Sequence, residues 1–417
     1  MVAMGVVGGL SDREISRRLS AAHGVDPRVS LAQVRAFRRE LAAKGISPSG
    51  AARPVSRRPA IRRLFLHVTR KCNLACPHCY YESSPEAPGH MPMEAVRDLC
   101  RQLLILGGKE VTLSGGEPLM HPEFREIISG LDGSLNVEVL TNGTLLDQGL
   151  AEVLSRKAAR VQVSLDGSRP GVHDRIRGAG AFERALAGIR ALKKAGLEEV
   201  VLCATVNSEN LQDLEGIIAL GRDLGSSMVR FLAPRRLGRA EASWEALLPR
   251  GWPGCLDGFY LEKFEEELFP QGPTRLSTGL SGVAMEVLSQ TGDDHWCPIG
   301  TTLAVDTDGE AYPCAPLMHP EFHLGNVYQQ GLRGIQDSER LSQVIEVMEE
   351  RRERISACRN CPWRGLCQAG CMAMALDHKG TVWDVDHHCA VRKEIYPRLF
   401  RLVAGGAAAR RGLPECG

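Results

Sequence analysis

An α/β fold, arranged as a partial (β/α)6 barrel between a small N-terminal helical segment and a cysteine-rich C-terminal domain, is what the sequence predicts. Three observations carry this expectation. From residue 63 to 235, short β-rich runs alternate with amphipathic helical stretches, the pattern of parallel β/α units. Several of those runs end in a turn motif, at the end of the strand where a barrel carries its chemistry. Most of the 14 cysteines fall in two groups, 72–79 and 297–389.

The chain opens with two short helices. Ser11 and Glu14 form one capping box, and Ile15, Leu19 and Ala22 share a face that stops at Gly24. Ser30 and Gln33 form a second box, followed by Val34, Phe37 and Leu41 and a stop at Gly45. Residues 1–47 are thus a helical segment and 48–62, rich in Pro, Ser, Ala and Arg, a linker. Strands are expected over 64–69, 110–113, 137–140, 161–165, 200–206 and 228–232, and helices over 93–106, 182–195 and 211–224. Residues 236–290 form a bridging region of no clear pattern. The cysteine-rich domain spans 291–398, and 399–417 is a tail whose Gly/Ala/Arg composition from Ala404 onward reads as disordered.

Bulk composition narrows the function classes. Lys plus Arg number 51 against 50 Asp plus Glu, a net charge of +1, which argues against a nucleic-acid or anionic-membrane partner. No apolar run reaches the roughly 18 residues of a membrane span. Met1–Leu10 lacks the basic start and cleavage site of a secretion signal. A cytoplasmic protein is expected, in which cysteines serve metals more often than disulfides.

The first cysteine group, Cys72-Asn-Leu-Ala-Cys76-Pro-His-Cys79, sets three thiols within eight residues, directly after a strand. Thiolates suit zinc or an iron–sulfur cluster. Three of them leave one metal position open, as catalytic sites do. A zinc knuckle completed by His67 or His78 is the alternative. The following strands run into Ser114-Gly115-Gly116-Glu117-Pro118, Thr141-Asn142-Gly143 and Ser164-Leu165-Asp166-Gly167. All four signatures therefore converge on one mouth of the barrel.

On these residues, 63–235 resembles the radical S-adenosylmethionine (SAM) superfamily, whose fold is a partial, TIM-like barrel. The resemblance implies a [4Fe-4S] cluster on Cys72, Cys76 and Cys79, with SAM on its open iron. It implies SAM contacts at Gly115, Gly116 and Glu117 for the amino group, and at Asn142, Ser164 and Asp166 for the ribose and carboxylate. Arg177, in His173-Asp-Arg-Ile-Arg177, resembles an arginine that pairs with the SAM carboxylate. The implied reaction is reductive cleavage of SAM to a 5′-deoxyadenosyl radical that abstracts hydrogen from a substrate. Flavodoxin or ferredoxin would supply the electron.

The second group, Cys297, Cys314, Cys358, Cys361, Cys367, Cys371 and Cys389, resembles the SPASM domain of radical SAM maturases. That implies one or two auxiliary [4Fe-4S] clusters: one on Cys358, Cys361, Cys367 and Cys389, the other on Cys297, Cys314 and Cys371. Where some relatives carry an eighth cysteine, Gly292-Asp-Asp-His295 stands here. The fourth position of the second auxiliary cluster is thus open, or filled by Asp294 or His295. A zinc ribbon is the alternative. Cys100 and Cys203 read as core, and Cys255 and Cys416 have no assignment.

The N-terminal helices resemble the helical half of a PqqD-like peptide-recognition element, so the substrate expected is a ribosomally made peptide, oxidised or crosslinked. A separate leader-binding protein is a possible partner. Ala315 replaces the Asp that sulfatase-maturing relatives carry after the cysteine corresponding to Cys314, which disfavours that activity. A small-molecule enzyme, such as one modifying tetrapyrrole side chains, and a non-catalytic iron–sulfur redox protein are the alternatives. No residue is singled out as catalytic in the hydrogen transfer.

Overall fold

The computed structural model describes residues 11–23, 26–43, 59–268, 270, 272–279 and 297–398. Helices α1 (Asp12–His23) and α2 (Pro27–Ala43) form the N-terminal pair. Ser11 caps α1 as expected, its Oγ accepting from the Glu14 N–H at 3.2 Å. The start of α2 differs from the expectation at Ser30. Asp26 is the cap, its Oδ1 accepting from Arg28 N–H (2.7 Å) and Val29 N–H (3.3 Å). Pro27 takes the first helical position, where its missing N–H costs nothing. Ser30 is buried and faces Ser16, Oγ to Oγ at 2.7 Å. Gly24, Gly45, residues 48–58 of the linker and the tail from Ala404 lie outside the described residues.

Six parallel strands follow in sequence order: β1 (Arg63–Thr69), β2 (Glu110–Gly115), β3 (Asn136–Thr141), β4 (Arg160–Ser164), β5 (Val200–Thr205) and β6 (Met228–Leu232). Their ends lie within two residues of the expected ones. Between them run α3 (Met93–Ile105), α4 (Phe124–Gly130), α5 (Gln148–Lys157), α6 (Pro170–Arg177), α7 (Ala181–Lys194) and α8 (Leu214–Asp223). The stretch expected from 211 begins with a 3₁₀ turn, Leu211–Asp213, before α8.

Among the described residues no closed barrel forms. The sheet has ten strands, in order β10-β9-β8-β1-β2-β3-β4-β5-β6-β7. From the bridging region, β7 (Arg275–Ser277) lies parallel beside β6. From the cysteine-rich stretch, β8 (Thr302–Val305) pairs parallel with the outer edge of β1. The antiparallel β9 (Glu310–Tyr312) and β10 (Gly325–Asn326) then extend that side. Helices α9 (Gly254–Leu268), α10 (Val327–Gln336), α11 (Glu339–Arg354) and α12 (Met372–Lys379) complete the labelled elements. One apolar core runs from the barrel strands through Leu332, Ile335 and Met372, so the C-terminal cysteines are tied to the barrel by shared packing. Among the described residues no helix is long and apolar enough to cross a membrane.

The turn after β3 packs closely on α7. A Cβ at Gly188 would stand 2.3 Å from the Gly143 carbonyl oxygen. Gly in a helix interior normally costs about 1 kcal/mol relative to Ala, yet here the backbone approach outweighs propensity. Gly188→Ala is therefore expected to lower the thermal unfolding midpoint. A midpoint equal to or above that of the wild type would show that the turn yields freely.

Candidate active site

The mouth of the barrel holds a cavity of about 440 Å³, within the range that takes a small molecule. The loop after β1 places Cys72, Cys76 and Cys79 in its wall, Gly115, Gly116, Asn142 and Ser164 line it from the following strand ends, and Arg177 lines it from the end of α6. Ala315, Pro316 and Met374 of the C-terminal region line it too. Thus the strand-end motifs and the first cysteines meet in one space, walled in part by the second cysteine region.

Two of these three thiols are buried. Cys72 and Cys76 are only 9% and 8% exposed. Burial, then the nearby Glu117 carboxyl, pushes the Cys72 thiol up to about 12. Burial also raises Cys76, against the pull of Arg177 and Arg239. Buried thiols held this high ionise at neutral pH only when a metal takes the place of the proton. The two histidines of the zinc alternative are engaged elsewhere. His67 Nε2 lies 3.1 Å from Tyr80 Oη, and His78 Nε2 lies 3.5 Å from Asp166. Among the described residues no three His, Cys, Asp or Glu side chains converge as a single ion requires. A four-iron cluster, which takes one thiolate per corner, fits the three cysteines and the open space beside them.

The two glycines at the end of β2, Gly115 and Gly116, are required by the backbone itself. A Cβ on Gly115 would stand 2.3 Å from Thr69 O, and one on Gly116 would stand 2.3 Å from Lys71 O. Their first role is to let the end of β2 lie against the start of the cysteine loop. Glu117 is fully buried and is absent from the cavity wall. Its Oε1 accepts from Thr141 Oγ1 (2.7 Å) and Leu119 N–H (3.2 Å), and its Oε2 from Asn142 N–H (2.7 Å). Burial pushes this carboxyl up to about 7 although the three donors pull it down. Glu117 thus fixes the turn that presents Asn142, whose Nδ2 reaches Cys72 Sγ at 3.7 Å.

A buried ion pair lies below the opposite wall. Arg177 Nε donates to Asp166 Oδ2 at 2.6 Å, and Thr205 N–H donates to Asp166 Oδ1 at 2.8 Å. Asp166 is fully buried and outside the wall, whereas Arg177, with 10% of its side chain exposed, is part of it. Burial pushes the Asp166 carboxyl up, but Arg177 and then His78 outweigh it and hold the group below the usual range. Asp166 therefore acts on the cavity through Arg177.

The second cysteine group lies in two places. Cys358, Cys361, Cys367 and Cys389 line one small cavity together with Trp363, Arg392 and Tyr396. Burial, then Cys367, Cys389 and Cys361, pushes the Cys358 thiol up to about 11. Elsewhere burial, with Cys297 and Cys371 close by, raises Cys314. Clustered thiols whose ionised forms would repel one another are a donor set that bound iron would relieve. No disulfide joins any described cysteine. Asp294, His295 and Cys416 lie outside the described residues. Cys255 sits in α9.

Cys100 and Cys203 are both buried, as expected of core residues, but Cys203 has a second face. It lines the main cavity from β5. The run from Val200 to Ala204 is buried on both faces, so no alternation in the sequence shows which side chains point inward. Tyr80, Tyr81, Arg230 and Arg235 also line the cavity and carry no motif. Tyr81 donates to Asp306, which pairs with Arg70. Arg235 pairs with Asp377 of α12 and donates to Pro316 O at 2.7 Å. These contacts join segments 81 to 236 residues apart, which local pattern does not reveal.

Comparison with known proteins adds the following. Residues 66–221 match the family model of the radical SAM superfamily, and residues 297–362 match SPASM, an iron–sulfur cluster-binding domain. The chain is 30% identical over 350 residues to the AdoMet-dependent heme synthase of Methanosarcina barkeri, covering 80% of this chain and 97% of that protein. It is 29% identical over 322 residues to the mycofactocin maturase MftC of Mycobacterium ulcerans, covering 74% and 82%. The solved structure of anSMEcpe with bound AdoMet and Cp18Cys peptide shares the fold, with a TM-score of 0.63 and 20% identity, covering 82% and 99%.

Proposed function

The chain belongs to the radical SAM superfamily and carries a SPASM domain, and from that premise we propose that it oxidises or crosslinks a ribosomally made peptide. Its cofactors are [4Fe-4S] clusters and SAM. The cluster supplies, when reduced, the electron that cleaves SAM to a hydrogen-abstracting radical. In this reading Cys72, Cys76 and Cys79 hold that cluster. Asn142 and Ser164 meet the ribose and carboxylate of SAM, with Gly115 and Gly116 at its amino end. Glu117 and Asp166 hold the turn and the arginine that do the touching. Arg177 offers its Nη edge to the SAM carboxylate, since Nε is committed to Asp166.

The observation that carries the reading is the shared wall of the cavity. Ala315 and Pro316, just after Cys314, and Met374, just after Cys371, border the same space as the first three cysteines. A substrate there would be bordered by the first three cysteines on one side and by the segments after Cys314 and Cys371 on the other, where an auxiliary cluster, when bound, would supply one-electron chemistry. Exclusion of water by this wall protects the radical step. The peptide is favoured by the maturase relative, by the peptide bound in the anSMEcpe structure, and by the N-terminal helix pair. A leader-binding partner would complete the recognition element, and flavodoxin or ferredoxin would be the reductant. The reducing cytoplasm suits so many thiols. A second reading, tetrapyrrole side-chain oxidation, is favoured by the 97% coverage of the heme synthase.

Anaerobic incubation with SAM, a reductant and precursor peptides encoded beside this gene is expected to give SAM-dependent loss of hydrogen from a peptide by mass spectrometry. Unchanged peptides, with oxidative decarboxylation of a supplied tetrapyrrole, would replace the first reading by the second. The ten cysteines in three sets further lead us to expect about three [4Fe-4S] clusters per chain, or about twelve irons. Iron analysis giving about four irons, or stoichiometric zinc, would overturn that count.

A further inference from the structure

Between β1 and the helical turns of the bridging region, the cysteine loop itself has almost no regular structure, yet its carbonyl groups are held in an ordered way. Four of them accept hydrogen bonds from one short segment that follows β6. Arg239 Nε donates to Cys76 O at 2.9 Å and Arg239 Nη2 to Ser83 O at 2.6 Å. The backbone N–H of Arg239 donates to Cys79 O at 3.0 Å. Ser243 Oγ donates to Pro77 O at 3.1 Å. Gly238 makes the approach possible, because a Cβ there would stand 2.5 Å from Tyr80 O.

We propose that Arg239 is a positioning residue for the SAM-binding cluster, which clamps the cysteine loop by its guanidinium fork and holds a positive charge beside the cluster. This rests on the reading that Cys72, Cys76 and Cys79 carry that cluster. The fork spans Cys76 and Ser83, seven residues apart, and so closes the loop around Cys79. Lysine, with a point charge and no planar fork, cannot span both carbonyls. No carboxylate pairs with Arg239 among the described ion pairs, although Arg177 and Arg235 nearby are each neutralised by an aspartate. A guanidinium that binds only carbonyl oxygens keeps its full charge. Bonded to the backbone carbonyl of Cys76 in a partly buried site, that charge would favour the reduced, more negative state of a cluster held by Cys76. Arg239 would thereby ease the electron transfer on which SAM cleavage depends, from a segment that carries none of the family's motifs.

The test uses the full chain, reconstituted anaerobically, as wild type, Arg239→Gln, Arg239→Lys and Ser243→Ala. The first cluster is identified as the reduced electron paramagnetic resonance signal that changes on SAM addition. Arg239→Gln is expected to lower the reduced-to-oxidised ratio of that signal about tenfold at a fixed potential, a shift of about 59 mV for one electron. Arg239→Lys should keep the potential close to that of the wild type but lose iron to a chelator several-fold faster. Ser243→Ala, which removes the contacts of Ser243 Oγ to Pro77 O and to Arg239 O (3.3 Å) but no charge, should also lose iron faster at an unchanged potential, and it serves if Arg239→Gln does not fold. Wild-type potential in Arg239→Gln, or wild-type iron loss in Arg239→Lys and Ser243→Ala, would overturn the proposal. A wild type with no SAM-responsive signal would instead bring down the ligand assignment on which it rests.

Discussion

Replacing Cys72, Cys76 and Cys79 together with alanine abolishes reductive SAM cleavage and leaves the barrel folded. The first half follows from the donor set: without the three thiolates nothing on this loop binds iron, and 5′-deoxyadenosine formation falls to the level of a protein-free control. The second half follows from packing. Cys72 and Cys76 belong to a small cluster with Leu74 and Ala181, separate from the main core. The loop is held by backbone contacts that alanine keeps, including Cys72 N–H to Ser84 O at 3.0 Å and the bonds to Cys76 O and Cys79 O. Each substitution should cost about 1 kcal/mol, an ordinary value for a partly packed site. Circular dichroism and 5′-deoxyadenosine assays of the same preparation check both halves. Continued product formation with dithionite would refute the site. Loss of native secondary structure would show instead that the loop is needed to fold the barrel.

Arg177→Ala is expected to cost stability as well as SAM affinity. The sequence alone suggested an arginine waiting for a carboxylate, but the structure gives it one already. With the guanidinium removed, Asp166 remains fully buried with a backbone N–H and His78 as its neighbours. Breaking a buried pair from one side costs about 3–5 kcal/mol, because an uncompensated charge is left behind. The sign of the pH effect follows. Asp166 has its folded pKa below the usual value, so the pair contributes above the normal carboxylate range and its contribution is lost as pH falls through the folded value. The deficit of Arg177→Ala is therefore full at neutral pH and shrinks in acid. Combining it with Asp166→Asn removes the stranded charge and should restore much of the stability. SAM binding should stay roughly 10- to 150-fold weaker in both variants, as expected for a lost charge-assisted fork. Denaturation midpoints against pH, with SAM titrations, separate the two effects. Unchanged affinity in the presence of a stability loss would confine Arg177 to a structural role.

Both experiments turn on what was and was not legible in the chain. The six strands, their alternation with helices and the position of the cysteines and glycines at strand ends are local properties. Periodicity in burial and the steric needs of turns write them into short windows, which is why Met228–Leu232 was placed to the residue. The division of the second cysteine group into two ligand sets came from the resemblance to SPASM domains and not from spacing. Errors at this level came from competing local signals, as where Asp26 before Pro27 outranked Ser30 as a helix cap.

What only the tertiary structure decided is who meets whom across long separations. The pairing of β8 with β1 puts the C-terminal cysteines beside the barrel, yet Thr302–Val305 is a short buried run that fits either sheet edge. That Glu117 is used up by Thr141, Asn142 and Leu119, that Cys203 faces the cavity, and that Arg239 grips a loop 156 residues and more away all depend on packing. A motif records which residue types the chemistry needs. Their hydrogen bonds and charges are settled by neighbours that the chain brings from elsewhere, at positions where an isolated arginine or serine looks like any other polar residue.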